Sequence, residues 1–177
     1  MNAPTKSGHF FLYLNLTMEN NRQHEEFMQM AIALSVKNVS QHVGGPFGAV
    51  IVKDGKFIAG SANKVTSTND PTAHAEVSAI RLACEILGTF DLSGCVVYTS
   101  CEPCPMCLGA IYWARIETIY YANTKTDAEN IGFSDKFIYD ELEKPMDKRT
   151  LPVVQLMRDE ALEAFKLWET SPLRITY

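Results

Sequence analysis

Two short motifs, thirty residues apart, constrain this chain more than any other feature of its sequence. The first places Glu76 two residues after His74, and the second is a Cys-x-x-Cys pair formed by Cys104 and Cys107. An imidazole and two thiolates suit zinc, and three protein ligands leave tetrahedral zinc a fourth position for water, whose pKa the metal lowers to about 7. The motifs therefore predict a zinc site with three protein ligands, beside which Glu76 acts as the base.

Each motif alone has other interpretations. A Cys-x-x-Cys pair also occurs in redox proteins and as half of a structural zinc site, and Cys101 offers a fourth thiol that could close the shell. The joint pattern, His-x-Glu followed by Pro-Cys-x-x-Cys, resembles the signature of zinc-dependent nucleobase deaminases, in which the glutamate is not a ligand. An open, catalytic site is the interpretation that uses every residue of both motifs.

The spacing of the motif residues predicts where the metal lies. His74 and Glu76 are about 200° apart around a regular helix, so the metal is expected beyond the N-terminal end of the helix that follows. Cys104 and Cys107, three residues apart, share one side of a helix that begins at one of the prolines flanking Cys104. Because helix N-termini favour thiolates over thiols, two helix starts are expected to face one zinc ion.

Composition narrows the class of partner. The chain has 177 residues, a net charge of -5 and a pI near 5.4, which fits one domain and disfavours a nucleic-acid partner. Five cysteines, three of them between residues 101 and 107, indicate metal chemistry in a reducing, cytoplasmic compartment rather than a disulfide framework. The apolar run at residues 10–14 is too short to span a bilayer, so no membrane partner is expected.

The order of predicted elements indicates a three-layer α/β/α fold with a central five-stranded mixed sheet. Residues 1–19 are predicted to be an N-terminal extension, with Met18 as a possible true start, and residues 20–177 a single domain. An amphipathic helix at 22–38 precedes a hairpin that turns at Asp54-Gly55, and His24 and His42 are expected at the surface. Further helices alternate with strands, which are predicted at 47–52, 57–62, 95–99, 118–122 and 151–157.

Across residues 20–177 the chain resembles the bacterial guanine deaminases of the cytidine-deaminase-like fold. The resemblance rests on the runs at 44–55, 69–77, 99–115 and 131–133, the last followed by Asp135. It implies deamination of guanine, a small purine base, to xanthine and ammonia, with one zinc ion per subunit. It also implies a base site lined by Asn63, the Ala75 backbone, Phe47, Trp113, Asp135 and Tyr177.

The same resemblance implies a homodimer in which residues 170–177 close over the pocket and are exchanged between subunits. Leu173, Ile175 and Tyr177 alternate as apolar positions, a pattern that a free tail has no reason to keep.

The expected chemistry assigns a role to each carboxylate. Glu76 takes the proton of the zinc-bound nucleophile that attacks C2, delivers it to N3 and later protonates the departing ammonia. Asp135 accepts hydrogen bonds from N1–H and the 2-amino group, unless it merely caps the helix that follows it. The alternatives are a guanosine-type nucleoside, another aminopurine or a pyrimidine as substrate, or a tRNA-editing or structural zinc module.

Overall fold

A mixed sheet of four strands, in the order β2-β1-β3-β4, forms the centre of the computed structural model. The structure describes residues 6–176, and of residues 6–20 it describes the backbone only. In chain order the elements are α1 (Lys6–Ser40), β1 (Gly48–Lys53), β2 (Lys56–Ala62), α2 (Val65–Thr68), α3 (Ala75–Leu87), β3 (Cys95–Cys101), α4 (Pro105–Trp113), β4 (Thr118–Asn123), α5 (Lys125–Asn130), α6 (Lys136–Glu143), a 3-10 turn (Met146–Lys148) and α7 (Arg158–Thr170).

The predicted hairpin is confirmed. Strands β1 and β2 are antiparallel, and Asp54 and Gly55 between them both have positive φ angles, 50° and 69°. A two-residue turn of this kind matches the right-handed twist of the strands it joins. Strand β1 also pairs antiparallel with β3, whereas β3 pairs parallel with β4 across the connection through α4. The sheet is therefore mixed, as predicted.

Helices cover both faces of the sheet, which confirms the three-layer arrangement. Helix α1 packs through Phe27 and Ala31 on one face, and α3 packs through Ala79 and Ile80 on the other. At Gly48 the chain passes so close to α1 that an added Cβ would lie 2.2 Å from the Ala31 carbonyl oxygen. The absence of a side chain there lets β1 sit directly beneath the helix.

The prediction of a fifth strand at residues 151–157 is wrong. The segment forms no strand, and its apolar side chains are exposed: Leu151 is 75% and Val154 83% accessible. Strand pairing needs a neighbour, and Pro152 also lacks the backbone N–H that a ladder requires.

His24 is not the isolated surface residue that the sequence predicts. On α1 it is half-buried between two tyrosines, with its Nδ1 2.6 Å from the Tyr98 hydroxyl and its Nε2 3.4 Å from the Tyr120 hydroxyl. The Tyr98 and Tyr120 rings stack with centroids 5.1 Å apart. This cluster joins α1 to strands β3 and β4 on the face opposite α3.

The N-terminal residues do not separate from the first helix at the predicted boundary. The backbone of residues 6–19 continues the helical path of α1. The division at residue 20, and the role of Met18, stay predictions. Within residues 6–176, no helix is both long enough and apolar enough to cross a bilayer.

Candidate active site

Two helix N-termini bring the predicted metal ligands together. His74 is the N-cap residue of α3 and Cys104 is the N-cap residue of α4, each with an extended backbone. Pro105, at the first position of α4, is pre-set for that position by its fixed φ. Cys107 lies in the first turn of α4 and is fully buried. The metal position off the helix ends, predicted from spacing, follows from this arrangement.

The distances among the three ligand atoms fit tetrahedral zinc. His74 Nδ1 lies 3.5 Å from Cys104 Sγ and 3.5 Å from Cys107 Sγ. Zinc–sulfur and zinc–nitrogen bonds of ordinary length, meeting at a tetrahedral angle, separate N and S by about 3.5 Å. All three donor atoms fall within 4.8 Å of one another. The chemistry and the spacing of the donors therefore both suit zinc.

Cys101 does not complete a closed four-ligand shell. Its Sγ lies 3.6 Å from the Thr124 carbonyl oxygen, to which it donates, and it stands outside the three-residue group that could hold a metal. Burial raises the pKa of the Cys101 thiol to about 11, which keeps the sulfur protonated. Within the described residues, three side chains that could hold zinc therefore come together without a fourth, which suits catalytic rather than structural zinc.

Glu76 is a buried carboxylate beside the ligands. It is 5% exposed, with Oε1 accepting a hydrogen bond from Thr99 Oγ1 at 3.1 Å and Oε2 lying 3.4 Å from Cys107 Sγ. Burial raises its pKa, because the charged form loses solvation. A carboxyl group whose pKa moves toward neutrality can both take and return a proton, as a shuttle must.

In the protein alone, the thiol groups of Cys104 and Cys107 differ in their pKa. The hydrogen bond from Cys107 lowers the pKa of Cys104 to about 4, and the same interaction raises the pKa of Cys107. The hydrogen bond to Cys104 raises the pKa of His74. Because zinc binds thiolates and neutral imidazole, metal binding is expected to release protons from this cluster.

A cavity of about 360 Å³ opens onto this cluster. Phe47 and Phe133 meet edge to face on its wall, with ring centroids 5.1 Å apart and planes at 90°. Such a pair gives a flat ligand an apolar surface to contact. The polar and charged residues of the lining include Asn63, His74, Glu76, Glu102, Cys104, Lys125 and Asp135.

Asn63 supplies a fixed donor to the cavity. The backbone N–H of Val65 donates to its Oδ1 at 3.2 Å, which assigns the orientation of the side-chain amide. The side-chain amide of Asn38 donates to the backbone carbonyl oxygen of Asn63 at 2.8 Å. The Asn63 amide NH₂ is thereby left to donate to a ligand in the pocket.

Asp135 occupies the N-cap position of α6. No hydrogen bond joins its side chain to the first turn of that helix. Partial burial raises the pKa of its carboxyl. Asp135 lines the cavity, and its carboxylate oxygens make no capping hydrogen bond that would compete with a ligand.

Comparison with known proteins decides the family. Residues 21–123 match the family described as the cytidine and deoxycytidylate deaminase zinc-binding region. The chain belongs to this deaminase family.

Individual relatives extend the similarity over most of this deaminase. It is 56% identical over 145 residues to the guanine deaminase of Bacillus subtilis, covering 82% of this chain and 93% of that protein. An X-ray structure of guanine deaminase from Bacillus subtilis superposes with a TM-score of 0.84 at 53% identity, covering 87% of this chain and 98% of the other. A tRNA-specific adenosine deaminase of Agrobacterium fabrum is 43% identical over 99 residues, 56% of this chain and 64% of that protein.

Two predicted base-site residues, Trp113 and Ala75, do not line the pocket of this deaminase. Trp113, at the end of α4, is 69% exposed and lies with Phe165 and Trp168 of the C-terminal region. The Ala75 side chain is buried in the core, so only its backbone at the start of α3 can contact a ligand. Tyr177 lies outside the described residues.

Some pocket residues of the deaminase escaped prediction from sequence. Phe133 takes the place on the wall that was expected of Trp113, and Glu102 and Lys125 line the opening. Phe133 ends the Ile-Gly-Phe run two residues before Asp135, which was predicted to accept hydrogen bonds from the base. That proximity in sequence could have indicated that Phe133 lines the pocket. Thr99, the partner of Glu76, had no signal because it reads as an ordinary buried strand residue.

Proposed function

We propose that this chain hydrolyses guanine to xanthine and ammonia, using a zinc ion held by His74, Cys104 and Cys107. The observation that carries this proposal is one cavity lined by His74, Cys104, the buried Glu76 and Asp135, with Cys107 completing the group that could hold zinc. The similarity to a guanine deaminase over most of both chains supports guanine as the substrate. Zinc, when bound, lowers the pKa of a water molecule and so supplies a nucleophile at neutral pH.

Glu76 carries the proton transfers in this reaction. The oxygen of water becomes bonded to C2 of guanine, and the bond between C2 and the exocyclic amine breaks. Glu76 accepts one proton of the water and delivers it to N3. It then takes the second proton from the hydroxyl now on C2 and passes it to the amine, which leaves as ammonia while the C2 carbonyl forms. Glu76 Oε2 lies 3.4 Å from Cys107 Sγ, and Glu76 is not in the group of side chains that could hold the metal, which supports its role as a base rather than a ligand.

The protein recognises guanine by pairing its own hydrogen-bond acceptors and donors with the donors and acceptors of the base. Asp135 accepts from N1–H and from the 2-amino group, a pair of neighbouring donors that adenine and cytosine do not offer together. Asn63 donates to an acceptor on the purine, and the aromatic wall of Phe47 and Phe133 contacts the flat rings. Ala75 contributes through its backbone alone.

A substrate panel tests the proposal directly. Purified, zinc-loaded protein is incubated with guanine, guanosine, adenine, cytosine and a tRNA, and ammonia release is measured for each. Guanine is expected to give the largest kcat/KM. The negative charge of -5 argues against a polyanionic substrate. Faster release from the tRNA or from a nucleoside would contradict the proposal.

Replacing Asp135 with asparagine is expected to lower kcat/KM for guanine by about 10²-fold or more, because the substrate donors lose a charged acceptor and one of them meets an amide donor. Steady-state kinetics with guanine measure the effect. Asp140→Asn is the matched control, since Asp140 lies exposed on the same helix and forms an ion pair with Lys136 at the surface. Unchanged guanine kinetics in the Asp135 variant would remove Asp135 from the base site.

We also propose that the protein is a cytoplasmic homodimer whose C-terminal segment covers the partner's pocket. Large apolar side chains are exposed at the end of α4, between residues 151 and 165, and along the C-terminal segment. A second copy would bury this surface. These side chains include Tyr112, Trp113, Leu151, Val154, Leu156, Phe165, Leu173 and Ile175. All five cysteines are free thiols, which suits a reducing compartment.

Deleting residues 173–177 is expected to leave folding and zinc content intact and to lower guanine turnover by about tenfold or more, because the segment excludes water from the pocket. Mixing this deletion with Glu76→Gln chains in equal amounts should restore about a quarter of the wild-type activity per chain. Half of the dimers are then mixed, and one site of each combines an intact Glu76 with an intact tail. No recovery, with subunit exchange confirmed by mass spectrometry, would rule out a tail that acts across the dimer.

A further inference from the structure

We propose that Thr99 is the positioning residue of Glu76: its hydroxyl holds Oε1 of the carboxylate so that Oε2 is presented to the reacting atoms. Thr99 Oγ1 lies 3.1 Å from Oε1, and both side chains are buried, Thr99 being 1% exposed. This inference rests on the proposed function, because it concerns how the base of that reaction is aimed.

The strand geometry explains why Thr99 reaches Glu76. In β3, side chains alternate between the two faces of the sheet, so Tyr98 points toward α1 while Val97 and Thr99 point toward α3. Glu76 lies in the first turn of α3, directly across from that face. A β-branched side chain is stiff at χ1, so the strand holds the hydroxyl at a fixed place.

A purely structural role would not require the hydroxyl. Valine has the same shape, favours strands at least as well and carries no polar group that must be satisfied when buried. Within residues 6–176, the Thr99 hydroxyl donates its hydrogen bond to the carboxylate of Glu76. The hydroxyl therefore serves Glu76 rather than the packing of the strand.

The second contact of Glu76 does not persist in a metal-bound site. In this structure Cys107 Sγ donates to Oε2 at 3.4 Å. A cysteine that binds zinc is a thiolate and has no proton to donate. Among the described residues, Thr99 then remains as the side-chain donor to the carboxylate. One oxygen is held, and the other is free to take and return a proton on the ligand side.

Two substitutions separate this role from packing. Thr99→Val is expected to lower kcat for guanine roughly 10- to 100-fold with KM changed less than about twofold, since a misaimed base slows the reaction without altering ground-state contacts. Thr99→Ser, which restores the hydroxyl, should recover kcat to within about fivefold of the wild type. Thr118→Val, at an exposed strand position, is the matched control and should have wild-type kinetics.

Readouts besides activity complete the test. Both Thr99 variants should hold one zinc per chain and melt near the wild-type temperature, and a crystal structure of Thr99→Val should show the Glu76 carboxylate rotated from its wild-type position. Unchanged kcat in Thr99→Val, a loss of zinc or fold in that variant, or a serine variant no more active than the valine variant would each overturn the role. A wild-type protein that fails to convert guanine overturns the proposed function first and this inference with it, whereas active wild type with indifferent Thr99→Val overturns only the inference.

Discussion

Replacing Glu76 with glutamine is expected to lower kcat for guanine by about 10²- to 10⁴-fold, which is the usual contribution of a positioned acid or base. Glutamine keeps the shape of the side chain and the acceptor for Thr99, but its amide cannot carry a proton between water, N3 and the leaving amine. Because Glu76 is not a ligand, the variant should keep its fold and one zinc per chain.

The measurement for Glu76→Gln combines single-turnover kinetics with elemental analysis and a melting curve. Glu85→Gln serves as the matched control, because Glu85 is exposed on the same helix and should behave as wild type. A Glu76 variant that stays active, or one that loses its zinc, would contradict the role of proton shuttle.

Replacing Cys107 with alanine is expected to abolish stable zinc binding and, with it, detectable turnover. Loss of a partner in the outer shell of a zinc site already costs about 10- to 100-fold in affinity, and loss of a direct ligand should cost more. Zinc content after dialysis measures the effect.

Cys101→Ala is the informative control for Cys107→Ala. Both residues are buried cysteines at the same site, yet only Cys107 lies within reach of His74. The Cys101 variant should retain one zinc per chain. If it lost zinc as readily as the Cys107 variant, the site would have a closed four-ligand shell and the catalytic assignment would be wrong.

The metal ligands were predictable because their geometry depends on short-range structure. His74 and Cys104 each occupy an N-cap position, and a cap residue leaves the helix in a defined direction. The spacing from Cys104 to Cys107 then places the second sulfur within the first turn of the same helix. Only the meeting of the two helix starts required the whole fold.

The hairpin was predictable for a similar reason. Asp54-Gly55 is a turn whose backbone angles only a few residue types adopt easily, so two residues specify the pairing of β1 with β2. The turn sets the register of Val52 and Lys53, whereas an irregularity between Ile51 and Val52 shifts the pairing of the rest of β1.

The fifth strand could not be decided from its own residues. Residues 151–157 have the apolar character of a strand, but a strand also needs a neighbour to pair with, and no local pattern shows whether one is present. Leu151, Val154 and Leu156 are exposed, so these apolar side chains are not buried by other parts of the described chain. We propose that a second copy of this chain buries them.

Trp113 and His24 show that residue type alone does not place a side chain. Trp113 was expected on the pocket wall, but it lies at the C-terminal end of α4, whereas the ligands lie at the N-terminal end. His24 was expected in solvent, but its partners Tyr98 and Tyr120 come from strands more than 70 residues later in the chain. Both positions depend on long-range packing, which a single sequence does not display.

The most direct test of zinc-dependent guanine hydrolysis follows the oxygen of water into the product. Zinc-loaded protein is given guanine in water enriched in heavy oxygen, and the products are analysed by mass spectrometry and an ammonia assay, with Glu76→Gln run in parallel. The account predicts xanthine carrying one heavy oxygen, one ammonia released for each xanthine formed, and almost no product from the variant. Guanine left unconverted by protein that holds one zinc per chain, or xanthine without the heavy oxygen, would contradict it.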